Sequence, residues 1–277
     1  MSILPSLPQQ EFIHRRQQFI ATMRPNSIAI LAAAPSQLRN ADTAFHYRPD
    51  SNFYYLTGFA EPEAVAVLVK AETTAEYILF SRSKNPAKEQ WTGFCAGQQG
   101  AVEDYAADQA YPIQQLDTQM LGLLQNVAYV YYAFGRYPDF DHKFNGWINR
   151  LRGKYRSGIS APTNIINIET ILHEMRLIKS PAEITLLRQA ASITAQAHLH
   201  VMQNCQAKMY EYQLRAQLLH QYCEHGAQFE AFPTIVASGA NSCILHYEAN
   251  NRQMHADELV LVDSGCEYQY YAADITR

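Results

Sequence analysis

Apolar and polar positions change period several times along the chain, and each change predicts an element. From Pro8 to Met23, Phe12, Ile13, Phe19, Ile20 and Met23 share one side of a 3.6-residue period, with Arg15, Arg16, Gln17 and Gln18 off it. That pattern predicts an opening amphipathic helix. Ser27 to Ala34 is an unbroken apolar run closed by Pro35 and predicts a buried strand. Residues 64–69 and 76–81 are two further β-prone runs, joined as a hairpin across Ala71 to Ala75. Val127 to Phe134 predicts a later strand, flanked by helical patterns over 113–125 and 139–152. Strands alternating with helices imply an α/β layer structure. Residues 39–59 are aromatic and turn-rich and show no sustained period.

A Gly/Ser/Pro-containing linker follows Gly153, and Ile168 to Ile178 predicts a short amphipathic helix. Ser180, Pro181 and Glu183 then form a helix start: an N-cap, a proline where its missing N–H costs nothing, and a carboxylate able to close a capping box. The helix is expected to run to Met202, and a second to span Met209 to His225 before Gly226. His198 and His200 are two apart and cannot share a helical face, which disfavours a metal pair there. Phe232 to Gly239 predicts a strand ending in a turn, with His246 and Tyr247 beyond it.

The last residues, Leu259 to Arg277, read as a β-hairpin turning near Tyr268 and Gln269. In that register Asp263 opposes Asp274, Gly265 faces Ala272 and Glu267 faces Tyr270. Opposed side chains on one sheet face have Cβ atoms about 5 Å apart, where like charges destabilise the pair. A shared proton or a bound cation resolves such a conflict. Two surface aspartates flanking a turn are also commonplace, so spacing alone does not choose between these readings.

Composition narrows the function classes. Hydrophobic residues make up 48% of the 277 positions and charged residues 17%, as in an ordinary globular protein with room for two cores. A net charge of −4, with no Lys/Arg stripe, argues against nucleic acid as a partner. The first residues have neither the basic start nor the apolar core of an export leader, and no window approaches the roughly 20 apolar residues of a membrane span. Five scattered cysteines without C-x-x-C spacing are read as reduced, mostly buried thiols of a cytoplasmic protein, Cys266 among them as a small buried filler.

The string D-S-G-C-E-Y-x-x-Y-A-A-D-I-T-R, from Asp263 to Arg277, resembles the D-x-G…Y…D-x-T-R segment of the aminopeptidase P/prolidase group of metallopeptidases. Three other stretches resemble the same group. R-N-x-D-x-x-F-x-Y-R-x-D-S-x-F-Y-Y-L-T-G-F, from Arg39, is similar to its N-terminal domain. R-x-I-K-S-P-x-E, from Arg176, is similar to the hinge into its catalytic domain. G-x-N-x-x-x-x-H-Y, from Gly239, is similar to its histidine motif. The resemblance implies an α/β protein: an N-terminal mixed α/β domain over residues 1–165, then an incomplete α+β pita-bread (creatinase-like) catalytic domain over 166–277. It implies a dinuclear site, usually manganese, in which Asp263 chelates one Mn2+ and Asp274 bridges both. His246 is then expected to act catalytically, steadying the tetrahedral intermediate without binding metal. Trp91, on a loop that the family extends toward a neighbouring subunit, and Tyr247 are expected as substrate contacts.

The reaction so implied is removal of the first residue from a peptide with proline second, by a homo-oligomer, with no nucleic-acid or membrane partner. An intact aspartate pair separates the chain from creatinase-like relatives. The family often carries glycine where Tyr270 stands, which implies a wider turn here. The family's remaining ligands, one His and two Glu, lie downstream of this segment, so residues 1–277 are expected to hold only the opening of the site and to be silent alone. An Xaa-Pro dipeptidase and a non-catalytic peptide-binding or assembly module are the alternative readings.

Overall fold

The computed structural model describes residues 6–277, so the reading of the first residues as leaderless falls partly outside it. The described residues divide into two compact units, Pro8–Ile178 on one side and Lys179–Arg277 with residues 6–7 on the other, so the division falls one helix beyond residue 165.

The first unit runs α1 (Gln9–Thr22), β1 (Ser27–Ala32), a small hairpin β2 (Leu38–Asn40) and β3 (Thr43–Ala44), α2 (Ser51–Thr57), β4 (Val65–Lys70), β5 (Ala75–Ser81), α3 (Pro86–Thr92), α4 (Gly97–Glu103), β6 (Gln109–Pro112), α5 (Leu116–Leu123), β7 (Tyr129–Tyr132), α6 (Pro138–Arg152), β8 (Asn164–Ile166) and α7 (Glu169–Leu177). Its six-stranded sheet has the order β6-β5-β4-β1-β7-β8. The central strand β1 pairs antiparallel with β4 and parallel with β7, so the sheet is mixed. Successive side chains point to opposite faces: Ala29 and Leu31 enter a core with Phe53, Leu56 and Leu172, while Ile28 and Ile30 enter another with Met120, Phe144 and Trp147. Helices on both faces explain why β1 reads as a continuous apolar run.

Two features of this unit were not readable from periodicity. Residues 51–57, inside the stretch expected to be turn-rich, form α2, because Asp50 accepts from the Asn52 and Phe53 amides and Gly58 ends the helix at φ 67°. Asp50 is also paired with Arg136 at 2.9 Å. Arg15 and Arg16, expected on the polar side of α1, are buried. Arg15 donates to the Tyr55 carbonyl and Arg16 to the Leu56 carbonyl, two acceptors that the end of α2 leaves unsatisfied. The guanidinium charge also meets the negative end of that helix, and the Arg15 and Arg16 guanidinium groups stack over Tyr55 and Tyr77.

The second unit runs α8 (Pro181–Asn204), α9 (Glu211–Glu224), β9 (Phe229–Glu230), β10 (Ile235–Ser238), β11 (Val260–Ser264), β12 (Cys266–Tyr268), β13 (Tyr271–Ala272) and β14 (Ile275–Thr276). The capping box at Ser180 and Glu183 forms as the sequence predicts. Leu186, Ala190, Ile193, Ala197 and Val201 line one stripe of α8 and pack with Leu214, Leu218 and Tyr222 of α9 against Val236, Val262 and Tyr268. The strands form two three-stranded sheets, β10-β11-β14 and β13-β12-β9. Of the cysteines, only Cys266 is buried; Cys205, Cys223 and Cys243 are exposed, against the sequence expectation. These three fall on helix ends and a loop, where no apolar stripe claims them. Among the described residues no helix is long and apolar enough to cross a membrane.

Candidate functional site

The aspartate hairpin forms with a register two residues away from the sequence expectation. Glu267 pairs with Ala272 and Tyr268 with Tyr271, so the turn sits at Gln269 and Tyr270. Both turn residues have positive φ, 50° and 67°, as a two-residue type I′ turn requires. Asp263 therefore pairs with Thr276, and Ser264 with Ile275. Moving a turn by one residue moves the pairing by two, and side chains alternate with period two. Asp263 and Asp274 thus stay on one sheet face as diagonal neighbours.

The two carboxylates meet. Partial burial, then the charge of Asp263 and a hydrogen bond to it, push the Asp274 pKa above the ordinary 3.8. Asp263 Oδ1 also accepts from Thr276 Oγ1 at 2.8 Å, which gives the threonine of D-I-T-R a role in orienting the first aspartate. Gly265 brings the strands this close. A Cβ built there would lie 1.7 Å from the Ala273 carbonyl oxygen, so only glycine fits between β11 and β12.

Buried polar groups hold the aspartates from behind. Ser264 Oγ lies 2.7 Å from both Tyr222 Oη and Thr234 Oγ1. His198, buried on α8, donates Nε2–H to the Ser264 carbonyl at 3.3 Å, and burial keeps its pKa below the ordinary 6.5. Thr194 Oγ1 accepts from the Cys266 amide, and Tyr271 donates its hydroxyl to Glu183, the capping carboxylate of α8. The strand with Asp263 and the strand leading to Asp274 are thereby tied to one helix. Sequence reasoning went no further with His198 than to disfavour a metal pair with His200. Its partner is a backbone carbonyl 66 residues away, for which no local pattern exists.

The other expected residues sit as follows. His246 is exposed, on the loop between β10 and β11. Tyr247 is buried at 9% exposure, and its hydroxyl donates to Glu211 at 2.8 Å. Trp91 lies on α3 of the first unit and is 88% exposed. Among the described residues no group of three or more His, Cys, Asp or Glu side chains is placed to hold a metal ion. Two carboxylates in contact are hard oxygen donors that suit a hard divalent cation. They fit a metal centre as part of its coordination shell.

The family description "Aminopeptidase P, N-terminal domain" matches residues 12–131, and "Metallopeptidase family M24" matches residues 185–277. The chain is 42% identical over 275 residues to Xaa-Pro aminopeptidase of Escherichia coli, covering 99% of this chain and 62% of the relative. It is 37% identical to Xaa-Pro aminopeptidase of Haemophilus influenzae, again over 62% of that protein. Among solved structures, zinc-substituted E. coli aminopeptidase P in complex with product superposes with a TM-score of 0.97 at 42% identity. Proline aminopeptidase P II from Yersinia pestis does so at 0.96 and 43% identity. Each match covers 98% of this chain and 62% of the other. The chain therefore spans 62% of the length of these relatives. With an aminopeptidase P N-terminal domain leading into M24 sequence that carries the paired aspartates, the chain belongs to the aminopeptidase P group of the M24 metallopeptidases.

Proposed function

We propose that this chain is the N-terminal part of a manganese-dependent aminopeptidase that releases the first residue from peptides with proline second. The observation that carries the reading is the register that sets Asp263 and Asp274 as diagonal neighbours on one sheet face, close enough for the charge of Asp263 to raise the Asp274 pKa. Two like charges held this close destabilise a fold unless a proton or a cation lies between them. The named relatives are Xaa-Pro aminopeptidases, which supports the substrate class.

On this reading Asp263 and Asp274 would hold the Mn2+ as part of its coordination shell. Bound cations supply Lewis acidity and an ionised water near neutral pH. This chain's own residues do the rest of the work available to them. Thr276 fixes the rotamer of Asp263, and Gly265 fixes the spacing of the pair. His246 is assigned to the oxygen of the reacting carbonyl. Trp91 and Tyr247 are assigned to the substrate; Tyr247 acts through its ring, since its hydroxyl is committed to Glu211. The exposed Trp91 suits a homo-oligomer in which it faces a neighbouring subunit. On the same reading the protein is cytoplasmic, which its five free cysteines support.

The test uses the full-length gene product loaded with Mn2+ and a pair of peptides differing only in proline or alanine at the second position. Release of the first residue from the proline peptide alone is expected. Asp263→Ala and Asp274→Ala should abolish it, and His246→Ala should lower turnover while metal content is retained. Near-normal hydrolysis by either aspartate variant would sink the ligand assignment. Loss of metal from His246→Ala would make His246 a ligand and overturn its role.

A further inference from the structure

The sequence gives no chemical part to Glu211, yet its carboxylate is fully buried at the start of α9 and is surrounded by donors. Oε1 accepts from the Ser238 amide at 2.8 Å, the Ser238 hydroxyl at 2.7 Å and the Asn241 side-chain amide at 3.3 Å. Oε2 accepts from the Tyr247 hydroxyl at 2.8 Å and the Arg252 amide at 2.9 Å. The backbone closes the same clamp, since the Glu211 N–H donates to the Arg252 carbonyl at 3.0 Å. Arg252 in turn reaches Ser238 Oγ and forms a two-pronged pair with Glu258.

All five donors belong to residues 238–252. They hold the loop that carries His246 on both sides of that residue, at its start and again at Tyr247 and Arg252. The loop's tip has no core of its own: Ile244, Leu245 and His246 are exposed, and the nearest buried side chain is Tyr247. An ionised carboxylate accepts at four lone-pair sites and donates nothing, so it suits a ring of donors as no neutral side chain does.

We propose that Glu211 is the positioning residue of His246, holding the histidine loop in one conformation through Tyr247, Ser238 and Arg252. The functional weight of this assignment rests on the reading of His246 as a residue of the reacting site; the structural claim does not.

The experiment uses this chain and follows two histidine ring resonances and backbone amide exchange by NMR. The His246 resonance is identified by its loss in His246→Ala. The His198 resonance, identified likewise, reports on α8 of the same unit. In Glu211→Gln the side-chain amide turns N–H groups toward donors. The His246 resonance should then shift or broaden and the Arg252 amide should exchange at least about tenfold faster, the factor carried by one charge-assisted hydrogen bond. The His198 resonance and the amides in the middle of α8 should stay as they were. An unmoved His246 resonance, or equal acceleration throughout the unit, would overturn the proposal. Tyr247→Phe removes one donor and leaves four, so it decides the matter if Glu211→Gln does not fold. A shifted His246 resonance with α8 unchanged supports the clamp, and an unchanged one overturns it. No readout involves peptide hydrolysis, so failure of the peptidase reading and failure of the clamp are separate results.

Discussion

Gly265→Ala tests the geometry of the aspartate pair without touching either aspartate. The added Cβ would lie 1.7 Å from the Ala273 carbonyl oxygen, 2.4 Å from its carbon and 3.0 Å from the Asp274 nitrogen. Those atoms are backbone, so no side-chain rotation relieves the clash. Restoring an ordinary contact of 3.4 Å requires the Ala273 carbonyl to retreat by about 1.7 Å, carrying Asp274 with it. The Ala273 amide donates to the Cys266 carbonyl at 3.0 Å, and that bond is lost in the retreat. Overpacking costs about 1–3 kcal/mol and the broken hydrogen bond about 1 kcal/mol, so about 2–4 kcal/mol in all. In a unit of this size each kcal/mol moves the melting temperature by roughly 4–8 °C. The second unit should therefore melt at least about 8 °C lower. Calorimetric titration with Mn2+ should also lose whatever binding the native chain shows, which for two carboxylates belongs near the millimolar end of oxygen-ligand sites. A variant that melts within about 2 °C of the native chain and binds Mn2+ equally would refute the close approach at Gly265.

Three further outcomes follow from the same contacts. Asp263→Asn or Asp274→Asn removes the like-charge contact, so the metal-free protein should melt higher while any Mn2+-induced rise in melting temperature disappears in differential scanning calorimetry. Ser180→Ala removes the N-cap of α8 and should cost about 1 kcal/mol in urea unfolding of the second unit, leaving the first unit's transition in place. Glu211 makes stability depend on pH. Burial alone would raise its pKa, but the Ser238 hydroxyl, the Arg252 and Ser238 amides and the Tyr247 hydroxyl outweigh it and hold the value below 4.5. Its contribution is then present above about pH 4.5 and lost as pH falls through the lower folded value. Glu211→Gln should flatten that acid limb in a series of melts, and an unchanged slope would show that Glu211 does not carry it.

Much of this protein is settled by patterns that act over short distances. The apolar run of β1, the hairpin of β4 and β5, and the α6 and α8 helices follow from local periodicity and from caps such as Ser180 with Glu183. Period-two alternation keeps both aspartates of the string from Asp263 to Arg277 on one face whichever pair of residues takes the two-residue turn. The turn itself was decided in three dimensions. Neither Gln269 nor Tyr270 is a residue that favours positive φ, so local preference opposes a turn at this pair. Packing overrode it: Tyr268 is buried in the α8–α9 core and Tyr271 reaches Glu183, and only the observed register puts both where they can do so. The burial of Arg15 and Arg16 has the same origin, since a guanidinium enters a core only where distant helix-end carbonyls await it. Glu211 is the clearest instance. Its donors stand 27 to 41 residues away and reach it only after β10 has packed beside α9, so a carboxylate that looks like any surface glutamate in the sequence becomes the centre of the histidine loop in the fold.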